Sequence, residues 1–490
     1  MSSEPDTANV LPPHPSSPPP RSSRCERLFG SLRSRNYRFF LVGRLFATTG
    51  AWVQRIAQDW LVLTLTDNAA AVGLTSALQF LPTLLFGLTG GWIADRWPKR
   101  QVLLLTQTAM AITAAALACL TLTHHVALWH VYLIAFALGT ATAVDEPTRQ
   151  AFVNEMVGPR HLRNAICLNA SAFQFGALAG PAISGALIAT VGPGYSFAVN
   201  ALSYLAPISA LLLIRPADLR GLSTVGTSDR RLREGMRYLS GNRDMLWPIL
   251  LVGTFGLFTT NLPVTLAAYA KSVIHAGADG YGLLSAITAA GALIGALLSA
   301  QWSRTTHRTL FAIGGILAGL YVLTSFATNP WILAAFLLPI GATTTLLNTS
   351  ANATVQLAAA DTFRGRVMGV YILVFVGSGA LGGPLLGTII QTLGAHVGLQ
   401  AAGIVPALAG TLLWFTRPAR QRKSRQTRIT SVLVAHPHDE PRTRPKDNAL
   451  RPVGQRRSSP AAAAPSGQRR NRRSRPDRTP PARSERTSPR

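Results

Sequence analysis

The segment Gly90-Gly91-Trp92-Ile93-Ala94-Asp95-Arg96-Trp97-Pro98-Lys99-Arg100-Gln101-Val102-Leu103 packs four charged side chains between two stretches that carry none, about 70–94 and 101–122. Each flank reaches the roughly 20 residues that a helix needs to cross hydrocarbon. A charged turn between two such stretches belongs in water, so the unit reads as a helical hairpin spanning a bilayer. The same pattern recurs outward in both directions. It gives twelve spans, roughly 38–64, 70–94, 101–122, 126–147, 164–190, 195–214, 246–268, 280–302, 309–328, 331–352, 367–392 and 396–416. Many contain Gly or Pro, which spanning helices tolerate better than soluble ones. The longest polar interruption, about 215–245, divides the spans six and six.

The composition agrees. Of 490 residues 48% are hydrophobic and 14% charged, with a formal net charge of +27. That charge sits at the ends: residues 417–490 carry a net +16 and residues 1–38 a net +3. An apolar, charge-poor middle disfavours a soluble enzyme and a nucleic-acid-binding core. Cys25, Cys119 and Cys167 support no disulfide framework, and no Cys/His spacing suggests a metal site. There is no Walker-type loop and no nucleophile–base constellation, so neither an enzyme nor a cofactor is expected. The expected domains are a disordered Pro-rich tail (1–36), a six-helix half (37–215), a linker (216–245), a second six-helix half (246–416) and a disordered basic tail (417–490). The basic tail can attract anionic lipid at about 1 kcal/mol per nearby cation.

Loop charges orient the spans. With the N-terminus inside, the inward gaps hold seventeen Lys and Arg, while the outward gaps hold only Lys271. Inward loops are rich in basic residues in this way. The expectation is a multi-pass membrane protein with both termini in the cytoplasm.

The halves repeat. Gly176-x-x-x-Gly180-Pro181 returns as Gly379-x-x-x-Gly383-Pro384, 203 residues later, and Arg163 and Arg366 keep the same offset. Small residues four apart let helix backbones approach, and the proline permits a bend. These six residues are candidate helix hinges. Two six-helix halves in parallel repeat make an all-α membrane protein of the major facilitator fold, with its substrate site between the halves.

The opening segment resembles the major facilitator loop motif G-x-L-a-D-R-x-G-R-K-x-x-L at Gly91, Asp95, Arg96, Lys99, Arg100 and Leu103; Ile93 and Pro98 depart from it. By that resemblance Asp95 is the acid of a gating latch, with Arg149 its candidate partner and Arg364 and Arg366 basic counterparts in the second half. Ser303 stands where a second acid would fall. Residues 176–185 resemble the antiporter motif g-x-x-x-G-P-x-x-G-G, with Ser184 replacing one glycine.

Ionisable residues inside spans are costly and mark candidate sites. Arg44, Thr48, Arg55 and Asp59 fall on one stripe of the first span, where Arg55 and Asp59 could pair across a turn. Asp145 and Glu146, at the end of the fourth span, are the first choices for carrying a proton, with Asp59 a third. Arg44, Arg55, Gln58, Asn169, Gln174, Asn261, Asn348 and Asn352 are the candidate substrate-cavity lining, polar and poor in aromatics.

The segments Asn36–Phe40, Trp52–Leu63, Gln79–Pro82, Pro147–Phe152 and Arg364–Gly369 resemble the enterobactin-exporter-like and macrolide-efflux-like branch over about residues 35–416. The resemblance implies a bacterial inner-membrane, proton-driven exporter of small organic molecules such as drugs, macrolides or siderophores; a monomer with no nucleic-acid partner is expected. The alternatives are an uptake symporter or facilitator, and a membrane scaffold acting through its basic tail.

Overall fold

The computed structural model describes residues 30–215, 237–301, 306–360 and 363–415. The terminal tails, most of the linker, Ser303 and Arg304 lie outside these residues.

The described chain is helical. A 3-10 turn at Gly30–Arg33 leads into α1 (Arg35–Thr66), followed by α2 (Ala69–Arg96), α3 (Lys99–Leu122), α4 (Leu128–Gly158), α5 (His161–Val191) and α6 (Pro193–Leu213). The second set is α7 (Arg243–Ser272), α8 (Ala278–Gln301), α9 (His307–Thr324), α10 (Pro330–Ala358), α11 (Arg364–Leu393) and α12 (Ala395–Phe415). Eleven of these helices are long and apolar enough to cross a membrane. The twelfth, α1, is 32 residues long but interrupted by Arg44, Arg55 and Asp59. Its charges find partners inside the protein, described below.

Local chemistry sets the corners. Asp67 ends α1 in the left-handed region at φ 50, a conformation its short polar side chain tolerates. Asn68 then starts α2 by accepting from the Ala70 and Ala71 amides at 2.8 and 3.3 Å. Pro98 holds Trp97 extended, so α2 turns into α3 within two residues. Between α4 and α5 a single residue, Gly158 at φ 68 and ψ 173, makes the turn. Only glycine enters that region without strain.

Two differences from the sequence reading concern boundaries. The stretch read as tail is ordered from Gly30: Ser31 is buried and its amide donates to Asn164 Oδ1 at 3.0 Å. The fourth span continues through Pro147 to Gly158, so Asp145 and Glu146 lie within a helix rather than at its end. Breaks occur instead at Tyr204 in α6 and at Thr260–Asn261 in α7. The helix is unbroken through the glycine–proline segments of α5 and α11.

The two six-helix halves meet along α2 with α11 and α5 with α8. Glycines make both crossings close. A Cβ on Gly73 would lie 2.1 Å from the Gly383 carbonyl oxygen, and one on Gly282 would lie 2.7 Å from Gly185 Cα.

Candidate functional site

Asp145 is 1% exposed. Thr106 Oγ1 and Gln107 Nε2, both from α3, donate to its Oδ1 at 2.8 Å each. Arg149, one turn along α4, places Nη2 2.8 Å from Oδ2. Arg149 also pairs with Glu146, whose other oxygen accepts from Gln150 Nε2 at 3.2 Å. Arg44 of α1 reaches the same place: with Gln107, Arg149, Phe40 and Leu211 it lines a cavity of about 20 Å³. The two adjacent carboxylates therefore differ. Asp145 is enclosed by donors and by Arg149, while the Glu146 side chain is 46% exposed. A proton arriving on Asp145 would remove one of the two counter-charges of Arg149, which is chemistry a coupling group needs.

The loop motif is built differently from its expected use. Asp95 is exposed and makes no ion pair among the described residues; Arg149, its expected partner, is taken by the acids of its own helix. The motif's cations serve the first half. Lys99 Nζ lies 2.8 Å from Glu155 of α4. Arg100 donates to the Leu211 and Leu212 carbonyls at the end of α6, at 2.7 and 3.0 Å. These carbonyls are the helix-end acceptors that lack intrahelical partners. Arg96 lies over the Trp92 ring, and Gly91 has open space beside it. In the second half Arg364 donates to the Gln356 carbonyl at 3.1 Å, and Arg366 lies over the Phe363 ring.

The polar stripe of α1 does not face one cavity. Arg44 turns into the acid cluster, and Thr48 is buried where Gly176 of α5 packs on it. Arg55 and Asp59 do not form their possible ion pair, and of the two only Asp59 bonds to the second half. Asp59, 3% exposed, accepts from the Tyr281 hydroxyl of α8 at 3.2 Å, and Trp60 stacks on the Tyr281 ring. Arg55 instead lies over the rings of Trp52 and Phe80. Aromatic residues thus stand where the sequence suggested a lining poor in them.

Further contacts join the halves at the same, arginine-poor end. Lys271 Nζ is 2.8 Å from Asp67 and 3.2 Å from the Leu63 carbonyl. Gln391 Oε1 accepts from the Ala69 amide at 2.8 Å. Asn261, at the break in α7, accepts from Ser76 at 3.0 Å and donates to the Gly379 carbonyl at 3.2 Å. At the arginine-rich end, Gly87 and Gly91 of α2 and Gly365 of α11 have no atom within 4 Å of where a Cβ would stand. Among the described residues, the polar and glycine contacts between the halves gather toward the arginine-poor end.

Among the remaining candidates, Gln58 is fully buried, as is Asn261, so neither lines open space. Asn169, Gln174, Asn348 and Asn352 are half-buried and join neither polar group through a hydrogen bond among the described residues. Gly176, Gly180, Gly379 and Gly383 act as contact points: a Cβ on Gly180 would meet Trp52 Cβ at 2.5 Å. Sequence reasoning missed Asp67, Ser76, Glu155, Tyr281 and Gln391. Lys271 carried a usable signal, as the lone cation in the outward gaps.

A family model described as transmembrane secretion effector matches residues 27–440. The chain belongs to this family of the major facilitator superfamily. It is 25% identical to a multidrug efflux pump of Mycolicibacterium fortuitum over 407 residues, covering 78% of this chain and 95% of that one. It is 22% identical to the enterobactin exporter of Citrobacter koseri, covering 77% and 90%. It is 24% identical to the staphyloferrin A transporter of Staphylococcus aureus, covering 53% of this chain and 66% of that protein. Solved structures share the fold. A D-xylose–proton symporter matches at TM-score 0.62 and 13% identity, covering 80% of this chain and 99% of that one. A bacterial homologue of the lysosomal transporter Spinster, in an inward-facing state, matches at 0.57 and 17%, covering 79% and 89%. The family and fold are those of transporters and not of enzymes.

Proposed function

We propose that the protein is a proton-driven secondary exporter of small organic molecules in a bacterial inner membrane, with its arginine-rich end and both termini in the cytoplasm. The observation that supports this reading is the asymmetry of the two ends: among the described residues, polar and glycine contacts bind the halves toward the arginine-poor end, as one state of an alternating-access cycle would. The expected domains, residues 37–215 and 246–416 with a linker between, are then the two rocking bodies. In the opposite state Asp95 becomes the latch acid, closing the cytoplasmic end with Arg149. Export, rather than uptake, rests on the exporter and efflux names of the relatives.

Asp145 is assigned as the proton carrier, with Glu146 as the solvated partner that keeps Arg149 paired. Inside-out vesicles containing the purified protein should show substrate-dependent proton movement that Asp145→Asn abolishes and Glu146→Gln only weakens. Proton movement unchanged in Asp145→Asn removes this assignment. A second reading, uptake with protons, has the sugar–proton symporter's shared fold in its favour. Expressing cells that accumulate more substrate than non-expressing cells would establish it.

A further inference from the structure

Arg55 is a cation inside a spanning helix with no carboxylate bound to it. At about 1.5 Å per residue it lies roughly 16 Å short of the Thr66 end of α1, at hydrocarbon depth. A charge there needs compensation. The fold provides two ring faces, Trp52 at 5.7 Å and Phe80 of α2 at 5.2 Å. Such ring faces support the cation but accept none of its N–H hydrogen bonds. Asp59, the nearest acid on the helix, is engaged by Tyr281. The phenol is neutral, so Asp59 still acts on Arg55 through space; what is left over is the guanidinium's N–H groups, which no carboxylate contacts among the described residues, presented on an aromatic support.

The support is firmly held. Gly176 and Gly180 bring α5 against α1 beside Trp52, and Phe173 packs edge-on to the Trp52 ring at 5.8 Å. Phe173 is nevertheless 43% exposed and Arg55 half-buried, so both remain reachable. Phe80 carries the group to the second half: a Cβ on Gly379 would stand 3.1 Å from its ring and 3.2 Å from the Thr260 methyl. Arg55 lies one turn from the Asp59–Tyr281 contact.

We propose that Arg55, Trp52 and Phe80 form the recognition site for a substrate that carries a carboxylate on an aromatic body. This rests on the transporter reading and names its substrate class. The guanidinium presents parallel N–H groups that match a carboxylate's two oxygens, and the rings offer faces for the aromatic part. A cationic aromatic compound offers the guanidinium's N–H groups no acceptor and is disfavoured, which sets the site apart from one for lipophilic cations.

The test is equilibrium binding to the full chain in lipid nanodiscs, by calorimetry, with three matched probes: 1-naphthoate, 1-naphthamide and 1-naphthylmethylamine. Naphthoate should bind at least about tenfold more tightly than either other probe, the range of a hydrogen bond to a charged group. Arg55→Gln should reduce that preference to within about twofold at an unchanged melting temperature. Trp52→Leu keeps the charge, and should weaken naphthoate and naphthamide together while leaving their ratio intact. No naphthoate binding, equal affinity for the three probes, a preference for the amine, or a preference that survives Arg55→Gln overturns the proposal. Vesicles that fail to couple protons while the naphthoate preference stands would strike the exporter reading alone.

Discussion

The two ends of the bundle use their charges in opposite ways. At the arginine-rich end the cations work inside their own half: Lys99 on Glu155, Arg100 on the last carbonyls of α6, Arg149 on Asp145 and Glu146. At the arginine-poor end the few polar groups reach across, as Asp67–Lys271, Asp59–Tyr281, Ser76–Asn261 and the Gln391–Ala69 amide contact. Strong intra-half stapling makes each half a rigid body. In the proposed cycle, sparse cross-half bonding would let the bodies separate, so that abundant charge builds the halves while a handful of weak contacts sets their position.

The comparison breaks most severely at the glycine crossings. In Gly73→Leu the new side chain starts 2.1 Å from the Gly383 carbonyl oxygen, so the arginine-poor end should fail to close and export should fall to background. Labelling of a single cysteine placed in that end would check it, rising to near completion. Next in size is Tyr281→Phe, which leaves the buried Asp59 carboxylate without its hydrogen bond. Losing such a bond costs about 1–3 kcal/mol, so the sealed state should lose about tenfold in population. Distances between spin labels across the two ends would read that shift. Lys99→Ala acts on the other side of the comparison. It removes a partly buried intra-half pair and should lower the melting temperature by a few degrees, leaving the spin-label distances unchanged. Lys271→Ala should do least. Its partner Asp67 is 85% exposed, and such surface pairs are worth about 0–1 kcal/mol. The population of the sealed state should change by no more than about fivefold.

The spans were legible because each needs only local information, an apolar run of sufficient length between charged or turn-forming residues. The Gly-x-x-x-Gly-Pro repeat likewise revealed the two halves. What the sequence hid was pairing. The loop-motif resemblance made Arg149 the candidate partner of Asp95; with α4 continuing to Gly158, Arg149 falls one turn from Asp145 and is captured there. Arg55 and Asp59 looked like an i, i+4 pair, but each is drawn off by an aromatic residue on another helix. Lys271 and Asp67 are 204 residues apart, as Asp59 and Tyr281 are 222, and no local pattern marks such partners. Spacing limits which residues can meet; the packing of helices distant in sequence determines which do.

The Gly158 corner has a mechanical consequence. Because the turn is made at a single residue, Gly158, a shift of α4 would be delivered to α5 as torque about one elbow. Asp145 sits on one arm of this crank, and Gly185, touching Gly282 of the other half, sits near the far end of the second. A change of charge at Asp145 would then be felt at the crossing without any wire of contacting side chains. Lengthening the elbow by inserted residues would uncouple the two while leaving both intact.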